Sequence, residues 1–208
     1  MEKIKTGTTT IGIVCKDGIV MAADKRVTAG NHIANSKYQK IAVVADNVAI
    51  TTAGLVSDAQ LLTKVIKAEI KLKEVQTNRK INVKEAVNIL SGLSYNNIRM
   101  TGGIVGFLVG GYDSSNGYTL WDVGVDGSIL QNEEFVSDGS GSVFSLAILE
   151  NEYKKDMSVD EGIKLAVKAL NISQKRDNAS GSGFDVMTIT KDGIKKVATK
   201  LYETKFEI

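Results

Sequence analysis

The sequence predicts an α+β fold, a four-layer α-β-β-α sandwich of two antiparallel sheets with helices on both outer faces. Two observations lead to this prediction. Strands and helices come in groups, strands first, then two helices, strands, two helices and strands, whereas a doubly wound sheet would alternate regularly. The strand segments, such as residues 104–109, are also apolar nearly throughout, as expected for a sheet that is covered on both sides.

The predicted strands are β-rich runs that flank turn signals. Residues 8–15 and 18–23 are separated by Lys16-Asp17-Gly18, and residues 41–44 and 48–52 flank a turn at 45–47. The remaining predicted strands cover residues 103–112, 118–123, 128–137, 184–190 and 194–198. The last two lie on either side of the turn Lys191-Asp192-Gly193.

Two helices are predicted between the first and second groups of strands. In the first helix, apolar residues recur at steps of four and three, which predicts one buried face. These residues are Leu61, Val65, Ala68, Leu72 and Val75. The second helix is expected to begin near Asn82, because Asn82 and Glu85 have the spacing of an N-cap and its N3 partner.

Two more helices are predicted before the final strands. The run Gly139-Ser140-Gly141-Ser142 opens the first of them. Ser158 and Glu161 have the spacing of a capping box and mark the start of the other. The predicted buried face of that last helix consists of Ile163, Ala166, Val167 and Leu170.

Composition indicates one ordinary globular domain. The chain has 208 residues, of which 43% are hydrophobic and 24% charged. The formal charge of +2 is small and its charges are interspersed, so no nucleic acid partner is expected. No run of about 18 apolar residues predicts a membrane span. The N-terminus has no apolar signal core, and Cys15 alone cannot form an internal disulfide, so we expect a cytoplasmic protein.

A scarcity of histidine limits the possible chemistry. His32 is the only histidine, and its polar surroundings favour an exposed loop side chain. Serine and cysteine triads need a histidine base, and metal sites usually need several His or Cys ligands. We therefore expect no metal ion and no cofactor. A hydrolase could instead use an N-terminal threonine whose own α-amino group, with a pKa near about 8, acts as the base.

Four threonines follow a short segment that could be removed. They are Thr6, Thr8, Thr9 and Thr10. Gly7 favours Thr8, because a residue without Cβ allows the tight backbone geometry that self-cleavage between Gly7 and Thr8 requires. Taken alone, the same residues are more typical of an ordinary β-strand.

Several motifs of the chain resemble those of proteasome β-subunits, and the archaeal ones above all. The run Gly7-Thr8-Thr9-Thr10-Ile11-Gly12 resembles the processing site and first strand of that family. The other matching segments, in the family's order, are Asp24-Lys25-Arg26-Val27-Thr28, Lys40, Ala53-Gly54 with Ser57-Asp58-Ala59-Gln60, Gly139-Ser140-Gly141 and Arg176-Asp177-Asn178-Ala179-Ser180-Gly181. The resemblance implies the N-terminal nucleophile hydrolase fold and a threonine endopeptidase. Residues 1–7 would be a propeptide removed by autocleavage, and residues 8–208 a single catalytic domain.

The resemblance also implies a role for each matching residue. The implied catalytic residues are Thr8, Asp24, Lys40, Gly54, Ser140, Asp177 and Ser180. Thr8 Oγ1 would be the nucleophile and its amine the base, while Lys40, held by Asp24, would supply positive charge. The Gly54 N–H would form the oxyanion hole. The other three would form a hydrogen-bonded set that orients the threonine's amino end.

Substrate and partners follow from the same resemblance. The implied substrate-binding residues are Thr28 and, in the pocket before the scissile bond, Val27, Tyr38, Ala42, Thr52 and Val56. None of them is charged, so a neutral residue at that substrate position is expected. The family forms two stacked seven-membered β rings, of one or more β types, flanked by α-subunit rings and supplied with unfolded proteins by a regulatory ATPase. Two alternatives are a non-catalytic structural ring subunit and an amidase of the same fold that acts on small molecules.

Overall fold

Two antiparallel sheets stacked face to face form the centre of the computed structural model, which describes residues 7–202. Residues 1–6 of the expected propeptide lie outside this range. In chain order the elements are β1 (Thr10–Cys15), β2 (Gly18–Asp24), β3 (Val27–Ala29), β4 (His32–Asn35), β5 (Ile41–Ala45), β6 (Val48–Gly54), α1 (Val56–Thr77), α2 (Val83–Thr101), β7 (Val105–Asp113), β8 (Gly117–Val123), β9 (Ile129–Asn132), β10 (Phe135–Asp138), α3 (Ser142–Glu152), α4 (Val159–Arg176), β11 (Gly183–Thr190) and β12 (Gly193–Leu201).

The strand order separates the two sheets. The first sheet has the order β10-β1-β2-β11-β12 and the second the order β5-β6-β7-β8-β9, with every pairing antiparallel. An inner core, which includes Met21, Leu108 and Ile189, fills the space between the sheets. Helices α1 and α2 cover the second sheet, and α3 and α4 cover the first. The predicted four-layer α+β sandwich is therefore confirmed.

Both predicted capping boxes are present. The Glu85 carboxylate accepts a hydrogen bond from Asn82 N at 3.0 Å at the start of α2. At the start of α4, Glu161 accepts from Ser158 N at 2.8 Å while Ser158 Oγ accepts from Glu161 N. The predicted face of α4 packs on the first sheet, so that prediction is also confirmed. None of the helices in residues 7–202 has the length and hydrophobicity of a membrane span.

The predicted buried face of α1 is wrong. Leu61, Leu72 and Val75 are 58%, 51% and 68% exposed, and the helix instead buries a neighbouring apolar stripe. That stripe consists of Ala59, Leu62, Ile66 and Ile70. The helix carries two apolar stripes at helical spacing, and periodicity alone cannot say which of them packs on β5 and β6.

Two further differences concern strands. Residues 128–137, predicted as one strand, form β9 and β10, which belong to different sheets because the chain crosses between the layers at residues 133–134. The β3–β4 hairpin was not predicted, since strands this short and this exposed show no alternation of apolar and polar residues. His32 is exposed as expected, but it lies on β4 rather than in a loop.

Candidate active site

The candidate site lies at one end of the sandwich, where several elements begin or end. Thr8 lies two residues before the start of β1, Asp24 is the last residue of β2, and Lys40 immediately precedes β5. Gly54 ends β6. The start of α3 and the loop between α4 and β11 complete the site. Residues that are far apart in the sequence meet here because antiparallel strands return the chain to the same end of the sheets.

The Thr8 hydroxyl lies between a carbonyl and an ammonium group. Thr8 Oγ1 donates to the Gly7 carbonyl oxygen at 2.7 Å and accepts from Lys40 Nζ at 2.9 Å. Lys40 Nζ also donates to Gly7 O at 3.3 Å and to Asp24 Oδ1 at 2.7 Å. Thr8 and Lys40 are both buried. The three N–H donors of the ammonium are matched by three acceptors inside the protein, Gly7 O, Thr8 Oγ1 and Asp24 Oδ1.

Asp24 fixes the lysine because its own carboxylate is held on both oxygens. Oδ1 accepts from Thr9 N at 3.0 Å in addition to Lys40, and Oδ2 accepts from Arg26 N at 3.0 Å and Gly181 N at 2.9 Å. The side chain is 1% exposed. A buried carboxylate with four donors has no freedom to turn, and it sets the position of the Lys40 ammonium.

Burial and pairing act on Lys40 in opposite directions. Burial lowers the pKa of the Lys40 ammonium, and the nearby Asp24 charge and hydrogen bond partly oppose this by raising it. The net result is a pKa below that of an ordinary lysine. A proton on this amine is therefore more readily given up than one on a surface lysine.

A second hydrogen-bonded group lies on the amino side of Thr8. Thr8 N donates to Ser140 Oγ at 3.2 Å, and Ser140 Oγ donates to Asp177 Oδ2 at 2.6 Å. Ser180 Oγ donates to the same carboxylate oxygen at 2.7 Å and lies 2.8 Å from Thr9 Oγ1. The predicted set of Ser140, Asp177 and Ser180 is thus brought together. The contact through Thr9 was not anticipated from the sequence.

Gly54 faces the same cavity as Thr8 and has a backbone that other residues rarely adopt. Its φ is +137°, and a Cβ at this position would lie 2.2 Å from the Ile104 carbonyl oxygen. Both observations explain why glycine occupies the junction between β6 and α1.

The cavity beside Thr8 contains most of the predicted substrate-binding residues. They are Val27, Thr28, Tyr38, Thr52 and Val56. Ala42, predicted to line it, instead packs against the hydrophobic core beneath α1 and α2. Arg26 and Ala59 line the cavity as well, although the sequence had not singled them out for it.

Arg26 is held at the edge of this cavity by the loop that carries Ser180. Its guanidinium donates to the Asn178 carbonyl oxygen at 2.9 Å and to Ser182 Oγ at 3.4 Å. The guanidinium therefore ties the end of β2 to the loop after α4 rather than pointing freely into the cavity.

The fold and this site together define a class of protein. An α-β-β-α sandwich with a hydroxyl nucleophile candidate just before its first strand, and an ammonium group within hydrogen-bonding distance of it, has the architecture of the N-terminal nucleophile hydrolases. Comparison with known proteins narrows this class. The family model described as "Proteasome subunit" matches residues 4–189. The chain belongs to the proteasome subunit family.

Named relatives are archaeal proteasome β-subunits. The chain is 44% identical to that of Archaeoglobus profundus over 92% of this chain and 88% of the relative. It is 44% identical to the β-subunit of Archaeoglobus fulgidus over 92% of this chain and 89% of that relative. It is 42% identical to the β-subunit of Methanohalophilus mahii over 95% of this chain and 93% of that relative. The predicted similarity to archaeal β-subunits is therefore confirmed.

Proposed function

We propose that this chain is a threonine endopeptidase of the proteasome that removes its own residues 1–7 and then uses Thr8 as nucleophile and base. One observation carries the proposal. The Thr8 hydroxyl lies 2.7 Å from the carbonyl oxygen of the bond to be cut and 2.9 Å from a buried ammonium that is itself fixed by Asp24. Nucleophile, scissile carbonyl and positive charge are all within one hydrogen bond of each other.

The first step is self-cleavage at the Gly7–Thr8 bond. Thr8 Oγ1 attacks the Gly7 carbonyl carbon and loses its proton, the C–N bond breaks, and the Thr8 nitrogen takes up a proton to become a free amine. The resulting ester between Gly7 and Thr8 is hydrolysed by water, which releases residues 1–7 with a carboxylate and restores the hydroxyl. Lys40, which contacts both Oγ1 and Gly7 O, would stabilise the negative charge that develops on these oxygens.

Peptide hydrolysis then uses the same hydroxyl with the new amine as its base. The amine removes the Oγ1 proton, directly or through water, and returns it to the leaving nitrogen of the substrate. An acyl-enzyme forms on Thr8 and is hydrolysed by water. Lys40 lowers the pKa of the nearby amine through its charge, and the Gly54 N–H stabilises the oxyanion, a contribution of about 2.7–4 kcal/mol for one such donor. Ser140, already bonded to Thr8 N, keeps the amine oriented.

The cavity beside Thr8 is proposed to accept the substrate residue before the scissile bond. Gly7 forms part of its wall and leaves a volume of only about 10 Å³, so release of Gly7 would open it. Val27, Val56 and Ala59 give it apolar surface, and the charges at its edge belong to Arg26 and Lys40, which are engaged by protein acceptors. A neutral side chain suits this lining better than a basic one.

Assembly completes the proposal. We propose that the chain forms seven-membered β rings, stacked in pairs between α-subunit rings and supplied with unfolded proteins by a regulatory ATPase. An unselective nucleophile is compatible with a cell only where folded proteins cannot reach it, which gives a physical reason for enclosure.

The experiment combines intact mass and peptide cleavage on the chain assembled with α-subunits. We expect loss of residues 1–7 and cleavage of fluorogenic peptides. Thr8→Ala should keep the leader and lose cleavage, while Thr8→Ser, which keeps a hydroxyl, should retain a measurable part of both.

Three outcomes would contradict the proposal. A particle that keeps its leader and cleaves no peptide would indicate a structural subunit. Turnover of small amides without peptides would indicate an amidase. Normal peptide cleavage by Thr8→Ala would exclude Thr8 as the nucleophile.

A further inference from the structure

Lys25, the neighbour of Asp24, is a buried lysine outside the proposed chemistry. It is 4% exposed, and its ammonium pairs with Asp185 Oδ2 on β11, which is 3% exposed. A buried ammonium is costly unless it is paired, so this side chain has one stable position inside the sheet. The pair therefore fixes residue 25 relative to β11.

The backbone of Lys25 connects three segments of the candidate site. Lys25 N donates to the Gly181 carbonyl oxygen at 3.2 Å, and Gly181 N in turn donates to Asp24 Oδ2 at 2.9 Å. The Lys25 carbonyl oxygen accepts from Tyr38 N at 3.1 Å, two residues before Lys40. A displacement of residue 25 would consequently move Asp24, the loop that carries Ser180 and the segment that carries Lys40.

Asp185 has a second lysine partner that does not reach the site. Lys196 Nζ lies 2.6 Å from Asp185 Oδ1, and Thr199 Oγ1 donates to the same oxygen at 2.7 Å. Burial alone would raise the pKa of Asp185, yet the hydrogen bonds from Lys196, Lys25 and Thr199 hold it below its ordinary value. The two lysines bind one carboxylate, but only Lys25 adjoins an active-site residue. They make a matched pair for mutation.

We infer that Lys25 is a positioning residue, whose ion pair with Asp185 holds the end of β2 so that the Asp24 carboxylate faces Lys40. The inference rests on the proposed function, because that function assigns catalytic roles to Asp24 and Lys40. Lys25 itself touches neither Thr8 nor a substrate in this scheme. Its effect passes entirely through Asp24 and the backbone of residues 24–26.

The first test compares Lys25→Met with Lys196→Met in the assembled particle. Each variant removes one cation from Asp185 and keeps an unbranched apolar side chain. We expect Lys25→Met to lower kcat by about tenfold to 100-fold with KM within about threefold, because small misplacements of catalytic groups have effects of this size. The pH dependence of kcat should also move. Lys196→Met should leave both near wild type, and Lys25→Arg should restore most of the rate. Equal losses in the two methionine variants, with an unchanged pH profile, would overturn the inference.

The second test does not depend on turnover. In a Thr8→Ala background, the rate at which acetic anhydride modifies Lys40 reports how firmly Asp24 holds its ammonium. We expect Lys25→Met to raise that rate several-fold and Lys196→Met to leave it unchanged. An unchanged rate in Lys25→Met would refute the positioning role. If the parent chain cleaves no peptide at all, the proposed function fails while this arm still decides whether Lys25 positions Asp24.

Discussion

Two carboxyl groups between the sheets should make stability depend on pH. Asp138 is the last residue of β10. A Cβ on Gly106 would lie 2.5 Å from Asp138 Oδ2, so only glycine at position 106 leaves room for this carboxylate. Asp122 lies opposite Leu108 on β8 and shares the inner face of the second sheet. Burial, and then the charge of Asp138, raises the pKa of Asp122 from 3.8 to about 6. Burial also raises the pKa of Asp138, against a hydrogen bond from Gly139 N.

Proton linkage determines whether stability rises or falls with pH. A raised carboxyl pKa means that the folded chain binds the proton more tightly than the unfolded chain, so the contribution of Asp122 to stability is greatest below about pH 4 and is lost as pH rises to about 6. The difference between 3.8 and about 6 corresponds to about 3 kcal/mol. Because Asp122 is only partly buried, solvent screens part of this, and we expect about 1–2 kcal/mol.

Asp122→Asn removes this titration and keeps the shape of the side chain. Above pH 6 the variant should therefore unfold at a temperature about 2–8 °C higher than wild type, and the difference should shrink towards pH 4. Thermal unfolding followed by circular dichroism between pH 4 and 8 measures it. Glu150→Gln, which changes an exposed carboxyl on α3, is the control and should show no such trend. A difference that is constant with pH, or that grows towards pH 4, would refute the reasoning.

Three further predictions concern backbone, core and cap. Gly54→Ala should lower the free energy of unfolding by about 1–3 kcal/mol because alanine is strained at this φ, as measured by thermal unfolding. The same variant should lower kcat for peptide cleavage by about 100-fold or more. Unchanged cleavage would argue against Gly54 in the oxyanion hole. Leu62→Ala should cost about 2–5 kcal/mol and Leu61→Ala within about 0.5 kcal/mol in urea unfolding of the isolated chain, and equal costs would contradict the observed face of α1. Ser158→Ala should cost about 1 kcal/mol in the same assay without changing peptide cleavage.

The fold could be predicted wherever local chemistry decides the structure. Turn residues such as Asp17-Gly18 and capping boxes such as Ser158 with Glu161 act over a few residues, and the structure contains them as expected. The buried face of α1 could not be predicted, because the choice between two apolar stripes depends on which one fits β5 and β6. The separation of β9 from β10 likewise depends on the second layer, which no local pattern encodes.

The candidate site shows the same division. The residue types that support the chemistry, such as Thr8 and Lys40, could be named from motif and spacing. Their distances could not, since the contact of Thr8 N with Ser140 joins positions 132 residues apart through the register of β1 with β10. Lys25 lies inside a motif that resembles the family, but the sequence assigned it no role. Its importance became visible only from its buried ion pair with Asp185.

The register of β2 explains why one carboxylate can serve so many partners. Asp24 pairs with Phe184 at the last rung between β2 and β11, so its side chain emerges where the sheet hydrogen bonds stop and free N–H groups begin. Three of the four donors to Asp24 are such backbone N–H groups, from Thr9, Arg26 and Gly181. Only the fourth comes from a side chain, that of Lys40. These backbone donors lie in the segments that adjoin the ends of β1, β2 and β11, so the ends of the strands fix the Asp24 carboxylate and, through it, the Lys40 ammonium. A substitution that shifts the end of β2 should therefore act on Thr8 even when it lies outside the cavity.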